Sequence, residues 1–136
     1  MGNVTHARNR RDANLEAAIA LPASAATVES ASIDLGAGDV HVSGAEVDIV
    51  APILATGELG DADTMIYDLQ TSPDDITFTD LYSAVLTQTG AGGAGAAAAD
   101  VRVGIQSESE RYLRVQITNS AAGDASGVNG EIRLLT

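Results

Sequence analysis

Residues 112–118 read Tyr-Leu-Arg-Val-Gln-Ile-Thr, with an apolar side chain at every second position after the tyrosine. Alternate side chains of a β-strand point to opposite faces, so this spacing predicts a strand that is buried on one face only. Leu113, Val115 and Ile117 would share the buried face, and Arg114 and Gln116 would lie on the other. This stretch therefore indicates a sheet that packs on a core with one side.

The same alternation recurs along most of the chain. It is clear in residues 30–35, 46–53, 65–69, 101–105 and 132–134, and weaker in 40–43, 76–81 and 83–89. In 46–53 the pattern places Val47, Ile49, Ala51 and Ile53 on one face and directs Asp48 away from it. Segments rich in Gly, Pro, Asp and Ser separate these runs, as turns require. The pattern predicts roughly eight or nine short strands.

Many short strands joined by turns favour an all-β fold, and an eight-stranded arrangement fits a jelly-roll-like antiparallel β-sandwich with an extended N-terminal arm. Residues 12–27 predict at most one or two short helical turns, because Pro22 disfavours helix at the residue before it. We therefore expect an arm and linker over residues 1–27 and a single sandwich domain over 28–136. A chain of 136 residues is long enough for one core.

The composition excludes several functions. The chain has no cysteine, which excludes a disulfide scaffold, a zinc–thiolate site, an iron–sulfur cluster and a cysteine nucleophile. It has nineteen acids, seven arginines and no lysine; Arg8, Arg10 and Arg11 lie in the arm, so residues 12–136 carry four arginines against all nineteen acids, a net charge of −15. So acidic a body would repel phosphate, and we expect no nucleic-acid binding. No apolar run is long enough to predict a membrane span.

The glycine-rich stretch 90–95 fits the letter of the dinucleotide motif G-x-G-x-x-G. That motif requires a helix directly after it, whereas a predicted strand begins at Val101. We therefore predict a mobile Gly/Ala surface loop over residues 90–99, which could be shortened at little cost because loop-closure entropy changes slowly with length.

The remaining candidates for chemistry are acids and one histidine. Asp61, Asp63 and the pair 74–75 could begin a calcium site, but no EF-hand pattern follows, so these acids are expected to serve turns. His41 lies near Asp39 without the G-x-S-x-G elbow of a hydrolase. Aromatic residues, on which sugars stack in glycosidase clefts, are nearly absent. We expect no enzyme activity, no catalytic residue, no metal and no cofactor.

Three segments in order are similar to a known family. They are residues 14–36, residues 67–81 with the run Tyr-Asp-Leu-Gln-Thr-Ser-Pro-Asp-Asp, and residues 110–115, which read Glu-Arg-Tyr-Leu-Arg-Val. The chain resembles in these segments the small cement, or decoration, proteins of tailed bacteriophage heads, of the kind found in Bordetella phage. None of the segments is a catalytic signature. The basic start of this chain is longer than is usual in that family.

The resemblance implies a jelly-roll domain on the exterior of a virion, where it binds the major capsid protein and stabilises contacts between neighbouring capsid subunits. It also implies a homo-oligomer, a dimer or a trimer, on a capsid symmetry axis, with the host cytoplasm as the place of assembly. The residues expected to contact the capsid or another subunit are Arg8, Arg10, Arg11, Arg111, Tyr112 and Arg114. A purely structural role for Arg111, Tyr112 and Arg114, with their apolar stems covering one face of the sheet, stays open. The alternative function is a carbohydrate-binding, lectin-like jelly roll.

Overall fold

Nine β-strands form the described part of the chain; the structure, a computed structural model, describes residues 11–35, 46–104, 109–120 and 122–135. The strands are β1 (Arg11–Ala20), β2 (Thr27–Glu29), β3 (Ile33–Asp34), β4 (Glu46–Ala51), β5 (Thr64–Ser72), β6 (Thr79–Thr89), β7 (Ala99–Gly104), β8 (Tyr112–Asn119) and β9 (Asn129–Leu135). No helix occurs in these ranges. The predicted all-β class is confirmed.

The strands form two antiparallel sheets. Sheet A has the order β1-β9-β4-β7, and sheet B has the order β2-β8-β5-β6, with β3 also paired to β8. Because β2 and β3 pair with successive parts of β8, they count as one interrupted strand. Counted in this way, eight strands lie in the orders 1-8-3-6 and 2-7-4-5, which is the connectivity of a jelly roll.

The core lies between the two sheets and is built by the alternation that the sequence shows. Sheet B contributes Tyr67 and Val115, and sheet A contributes Ile49 and Ile132, all fully or almost fully buried. The larger buried set also includes Leu21, Ile33, Val47, Leu54, Leu59, Met65, Leu69, Leu113, Ile117 and Leu134. Burial of aliphatic side chains thus stabilises the fold, at about 25 cal/mol per Å² of apolar surface removed from water.

Residues 11–20 form a strand, where the sequence predicts an arm with at most one or two short helical turns. Ala17 and Ile19 of β1 pair with Ile132 and Gly130 of β9 and pack against the core. Alternation is hard to see in this stretch because Ala18 and Ala20 are apolar on the other face as well. The sandwich therefore includes residues 11–20, and residues 1–10 lie outside the described part.

Two further strand predictions differ from the structure in their boundaries. Ile53 does not share the face of Val47, Ile49 and Ala51: β4 ends at Ala51, and Ile53 is 70% exposed. Pro52 breaks the strand, and the side chain buried beyond it is that of Leu54. The two weak runs at 76–81 and 83–89 merge into one strand, β6, but residues 76–78 belong to the loop before it. The run at 40–43 lies outside the described residues.

The Gly/Ala loop between β6 and β7 is packed, so the prediction of a mobile, shortenable loop is wrong. Leu54 and Ala96 exchange both backbone hydrogen bonds, at 2.9 Å each. Thr56 donates its hydroxyl to the carbonyl of Gly93 at 2.7 Å, and Asp61 Oδ1 accepts from the Gly93 amide at 2.8 Å. The glycines let two backbones approach: a Cβ on Gly95 would lie 1.9 Å from the carbonyl oxygen of Leu54.

The loops leave the sandwich at two distinct ends. The first, called here the loop end, holds residues 52–63, 90–98, 120 and 122–128; backbone hydrogen bonds join the first of these segments to each of the other two loops. At the second, called here the arm end, β1 begins, β9 ends, and residues 73–78 connect β5 to β6. The chain preceding Arg11 therefore enters the fold at the arm end.

Candidate interaction surface

The outer face of sheet B carries three of the predicted contact residues. Tyr112 and Arg114 are on the face of β8 opposite to its buried residues, and Arg111 directly precedes the strand. β8 lies between β2 and β3 on one side and β5 on the other, so its outer side chains are flanked by neighbours on both sides. The structure brings Arg111, Tyr112 and Arg114 together near the arm end.

Arg111 forms a two-pronged ion pair with Asp34 of β3. Its Nε and Nη2 donate to the two carboxylate oxygens at 2.8 and 2.9 Å, and these hydrogen bonds raise the pKa of Arg111. Both side chains remain substantially exposed, at 40% and 48%. The guanidinium also lies 5.1 Å from the centre of the Tyr112 ring. The pair fixes the orientation of Arg111 more than it stabilises the fold, because exposed ion pairs contribute little.

Arg114 is held by a row of polar groups that crosses three strands. Its Nε donates to Gln70 Oε1 on β5 at 2.8 Å, and Gln70 Nε2 donates to Asp80 Oδ1 on β6 at 2.9 Å. Its guanidinium carbon lies 3.9 Å from the centre of the Phe78 ring, a distance typical of a cation–π contact. Gln70, nearly buried in this row, is a member that the sequence pattern does not reveal.

The six predicted contact residues thus divide into two groups. Arg111, Tyr112 and Arg114 form one surface with the side chains that hold them, which we call the β8 surface: Asp34, Gln70, Phe78, Asp80, Arg111, Tyr112 and Arg114. Arg8 and Arg10 lie outside the described residues, and Arg11 is the first residue of β1, with Leu135 as its backbone neighbour. The arm therefore begins at the same end of the sandwich as the β8 surface.

The outer face of sheet A holds a buried carboxylate, that of Asp48. The alternation in residues 46–53 predicts that this side chain points away from the core, but it does not predict that it is buried. Asp48 of β4 lies opposite Arg133 of β9 and Arg102 of β7. Its side chain is only 4% exposed, and its Oδ2 lies 3.6 Å from Nε of Arg133. Burial and the neighbouring carboxylate of Asp100 raise the pKa of Asp48 to about 6, although the two arginines act in the opposite direction.

This raised pKa predicts a pH-dependent stability. The folded protein holds the Asp48 proton more tightly than the unfolded chain, so the contribution of Asp48 to the free energy of unfolding falls as pH rises from about 4 through about 6. Asp48→Asn mimics the protonated acid. Its free energy of unfolding should equal that of the wild type near pH 4 and be higher by about 1–3 kcal/mol at pH 7. Urea unfolding at several pH values measures this difference. A difference that is the same at every pH would contradict the assignment.

Two of the acids considered as calcium ligands, Asp61 and Asp74, accept hydrogen bonds from the backbone. Asp61 accepts from Gly93, as described, and Asp74 Oδ1 accepts from the amides of Ile76 and Thr77 at 3.0 Å each. These bonds lower the pKa of Asp74. Over residues 11–35, 46–104, 109–120 and 122–135, no group of three or more His, Cys, Asp or Glu side chains could hold a metal ion. His41 lies outside these ranges.

A membrane-spanning helix is absent from the described part of the chain. The chain matches no protein-family model, and a search of curated proteins finds no match. The fold therefore defines the class, an all-β jelly roll, and the function has to be inferred from the surface of the molecule.

Proposed function

We propose that this protein is a capsid cement, or decoration, protein that binds the exterior of a tailed-phage head and stabilises contacts between major capsid proteins. The observation that carries the proposal is the β8 surface. Each of the three segments that resemble the cement family contributes to it: Asp34 comes from the first, Gln70 and Phe78 from the second, and Arg111 and Arg114 from the third. Segments far apart in sequence thus build one continuous polar surface.

The jelly-roll connectivity and the charge also support this proposal. A sandwich with a net charge of −15 over residues 12–136 can coat a shell without binding the packaged nucleic acid. The protein would act as a homo-oligomer, a dimer or a trimer, on a symmetry axis of the shell. Many copies in fixed geometry would then link neighbouring capsid subunits.

The carbohydrate-binding alternative gains no support from the β8 surface. Sugars bind by stacking on the faces of aromatic rings, and Arg114 lies over one face of Phe78 while Arg111 lies over one face of Tyr112. A glycan array separates the two functions, because saturable binding of a sugar by the isolated protein would favour the lectin.

The direct test uses the phage whose genome carries the gene. Virions should contain the protein in a fixed ratio to the major capsid protein, and heads that assemble without it should bind added protein to the same ratio. Decorated heads should resist heating better than bare ones, because a ligand that binds only the assembled state stabilises that state. Heads that fail to bind the protein would overturn the proposal.

The basic arm gives a prediction of its own. We expect that deleting residues 2–10 leaves the unfolding temperature of the sandwich unchanged, because this segment is mostly polar and basic and offers little apolar surface to bury. The deletion should weaken binding to heads, because Arg8 and Arg10 can donate to carboxylates and carbonyls of the capsid. The loss should be largest at low salt, where the arginine contacts of the intact protein are least screened. Equal binding by the truncated and intact proteins at all salt concentrations would show that the arm does not contribute to binding.

A further inference from the structure

The loop of residues 73–78 exposes one large apolar side chain at the arm end. Ile76 is 82% exposed, more than the other exposed large apolar residue of the described chain, Ile53 at 70%. Single exposed apolar side chains are common on proteins. Ile76 differs from most because its loop is held rigidly and lies beside the β8 surface, whereas Ile53 lies at the loop end.

Hydrogen bonds within the loop fix the backbone on both sides of Ile76. Ser72 Oγ donates to Asp74 Oδ1 at 2.9 Å and accepts from the amides of Asp74 and Asp75 at 3.2 and 3.0 Å. Asp74 Oδ1 accepts in turn from the Ile76 and Thr77 amides. The exposure of Ile76 is therefore set by the loop structure, and a partner that buries it does not have to order the loop first.

The loop is also joined to the β8 surface at its far side. Phe78, two residues beyond Ile76, packs its ring against the guanidinium of Arg114, which is bonded to the nearly buried Gln70. The loop that carries Ile76 is therefore packed against sheet B through Phe78. Protein–protein binding energy is concentrated in a few side chains that fill well-packed, desolvated pockets.

Charge around Ile76 restricts the partner. Asp74 and Asp75 directly precede it in the chain, and both are exposed. An apolar side chain flanked by carboxylates fits an apolar pocket whose rim is basic. An anionic membrane surface or a nucleic acid would be repelled by the same carboxylates.

We propose that the arm end of the sandwich faces the shell and that Ile76 inserts into an apolar, basic-rimmed pocket of the major capsid protein. This inference rests on the proposed function, and it adds which end of the molecule makes the contact.

The test compares Ile76→Ser with the matched control Ile53→Ser, which removes a similarly exposed isoleucine from the opposite end. Binding of each purified protein to heads that lack it is measured by co-sedimentation over a range of concentrations. Ile76→Ser should weaken binding by about tenfold or more, as expected for a buried isoleucine. Ile53→Ser should change it by less than about twofold. Thermal unfolding of both variants should match that of the wild type, because both side chains are exposed.

A third variant, Asp75→Asn, tests the basic rim. Asp75 has a φ of +63°, a conformation that asparagine adopts readily, so the change removes a charge with little effect on the loop. Binding of this variant should depend less on salt than binding of the wild type. If the wild type binds heads and Ile76→Ser binds equally well, the inference is wrong while the proposed function stands. If the wild type itself does not bind, the proposed function fails and the inference with it.

Discussion

Replacing Gly95 with alanine should lower the free energy of unfolding by about 4 kcal/mol or more. The new Cβ would lie 1.9 Å from the carbonyl oxygen of Leu54 and 2.7 Å from the carbonyl carbon of Ala55. The Leu54 backbone cannot easily move aside, because it exchanges two hydrogen bonds with Ala96. In addition, Gly95 has a φ of +70°, which costs a residue with a side chain about 1–2 kcal/mol.

Gly92 provides the matched control within the same loop. It has a φ of +63°, but a Cβ built on it meets no atom within 4 Å. Gly92→Ala should therefore cost only the conformational part, about 1–2 kcal/mol. Urea unfolding followed by circular dichroism measures both variants. Equal costs at the two positions would mean that the close approach between residues 54 and 95 does not exist in solution.

Replacing Gln88 with alanine should have the second largest effect, a loss of about 3–5 kcal/mol. Gln88 is 97% buried at the loop end, since its exposed fraction is 3%. Its amide group donates to the carbonyls of Pro52 and Ala97 at 2.8 and 2.9 Å, and its Oε1 accepts from the Tyr67 hydroxyl at 2.7 Å. The substitution leaves two backbone carbonyls and the Tyr67 hydroxyl without their hydrogen bonds to Gln88, and it opens a cavity.

Tyr67→Phe is the control for this network, because it removes one hydroxyl and keeps the ring in the core. It leaves only Gln88 Oε1 without its partner, so it should cost about 1–3 kcal/mol. In the double variant the two losses should be less than additive, because both single changes break the same hydrogen bond. Additive losses measured by urea unfolding would show that Tyr67 and Gln88 do not act as one unit.

The candidate site was predictable in part. Alternation in residues 112–118 places Tyr112 and Arg114 on one face of a strand, and the structure agrees. Their partners could not be predicted in the same way, because Asp34 and Gln70 are 77 and 44 residues away from the arginines they bind. Which strands become neighbours in a jelly roll depends on the packing of the two sheets, and period two within a single strand carries no information about it.

Asp48 shows the same division between local pattern and tertiary environment. The alternation with Val47 and Ile49 correctly directs its side chain to the outer face of sheet A. Polar residues on an outer face are usually exposed to solvent, yet Asp48 is buried there between arginines of two neighbouring strands. Burial and the nearby carboxylate of Asp100 raise its pKa against the opposing effect of the two arginines, and none of these neighbours can be read from the alternation within β4.

The sequence by itself determined that the chain forms antiparallel strands around an aliphatic core, because period two and turn-forming residues are local properties that survive in any arrangement of the strands. Only the tertiary structure decided how residues 11–20, 52–54 and 90–99 behave. β1 is a strand because β9 offers it a partner, and Leu54 replaces Ile53 in the core because Pro52 ends β4. The Gly/Ala loop is ordered because its glycines let the backbone of residues 54–61 approach closely, a contact between segments that are more than thirty residues apart.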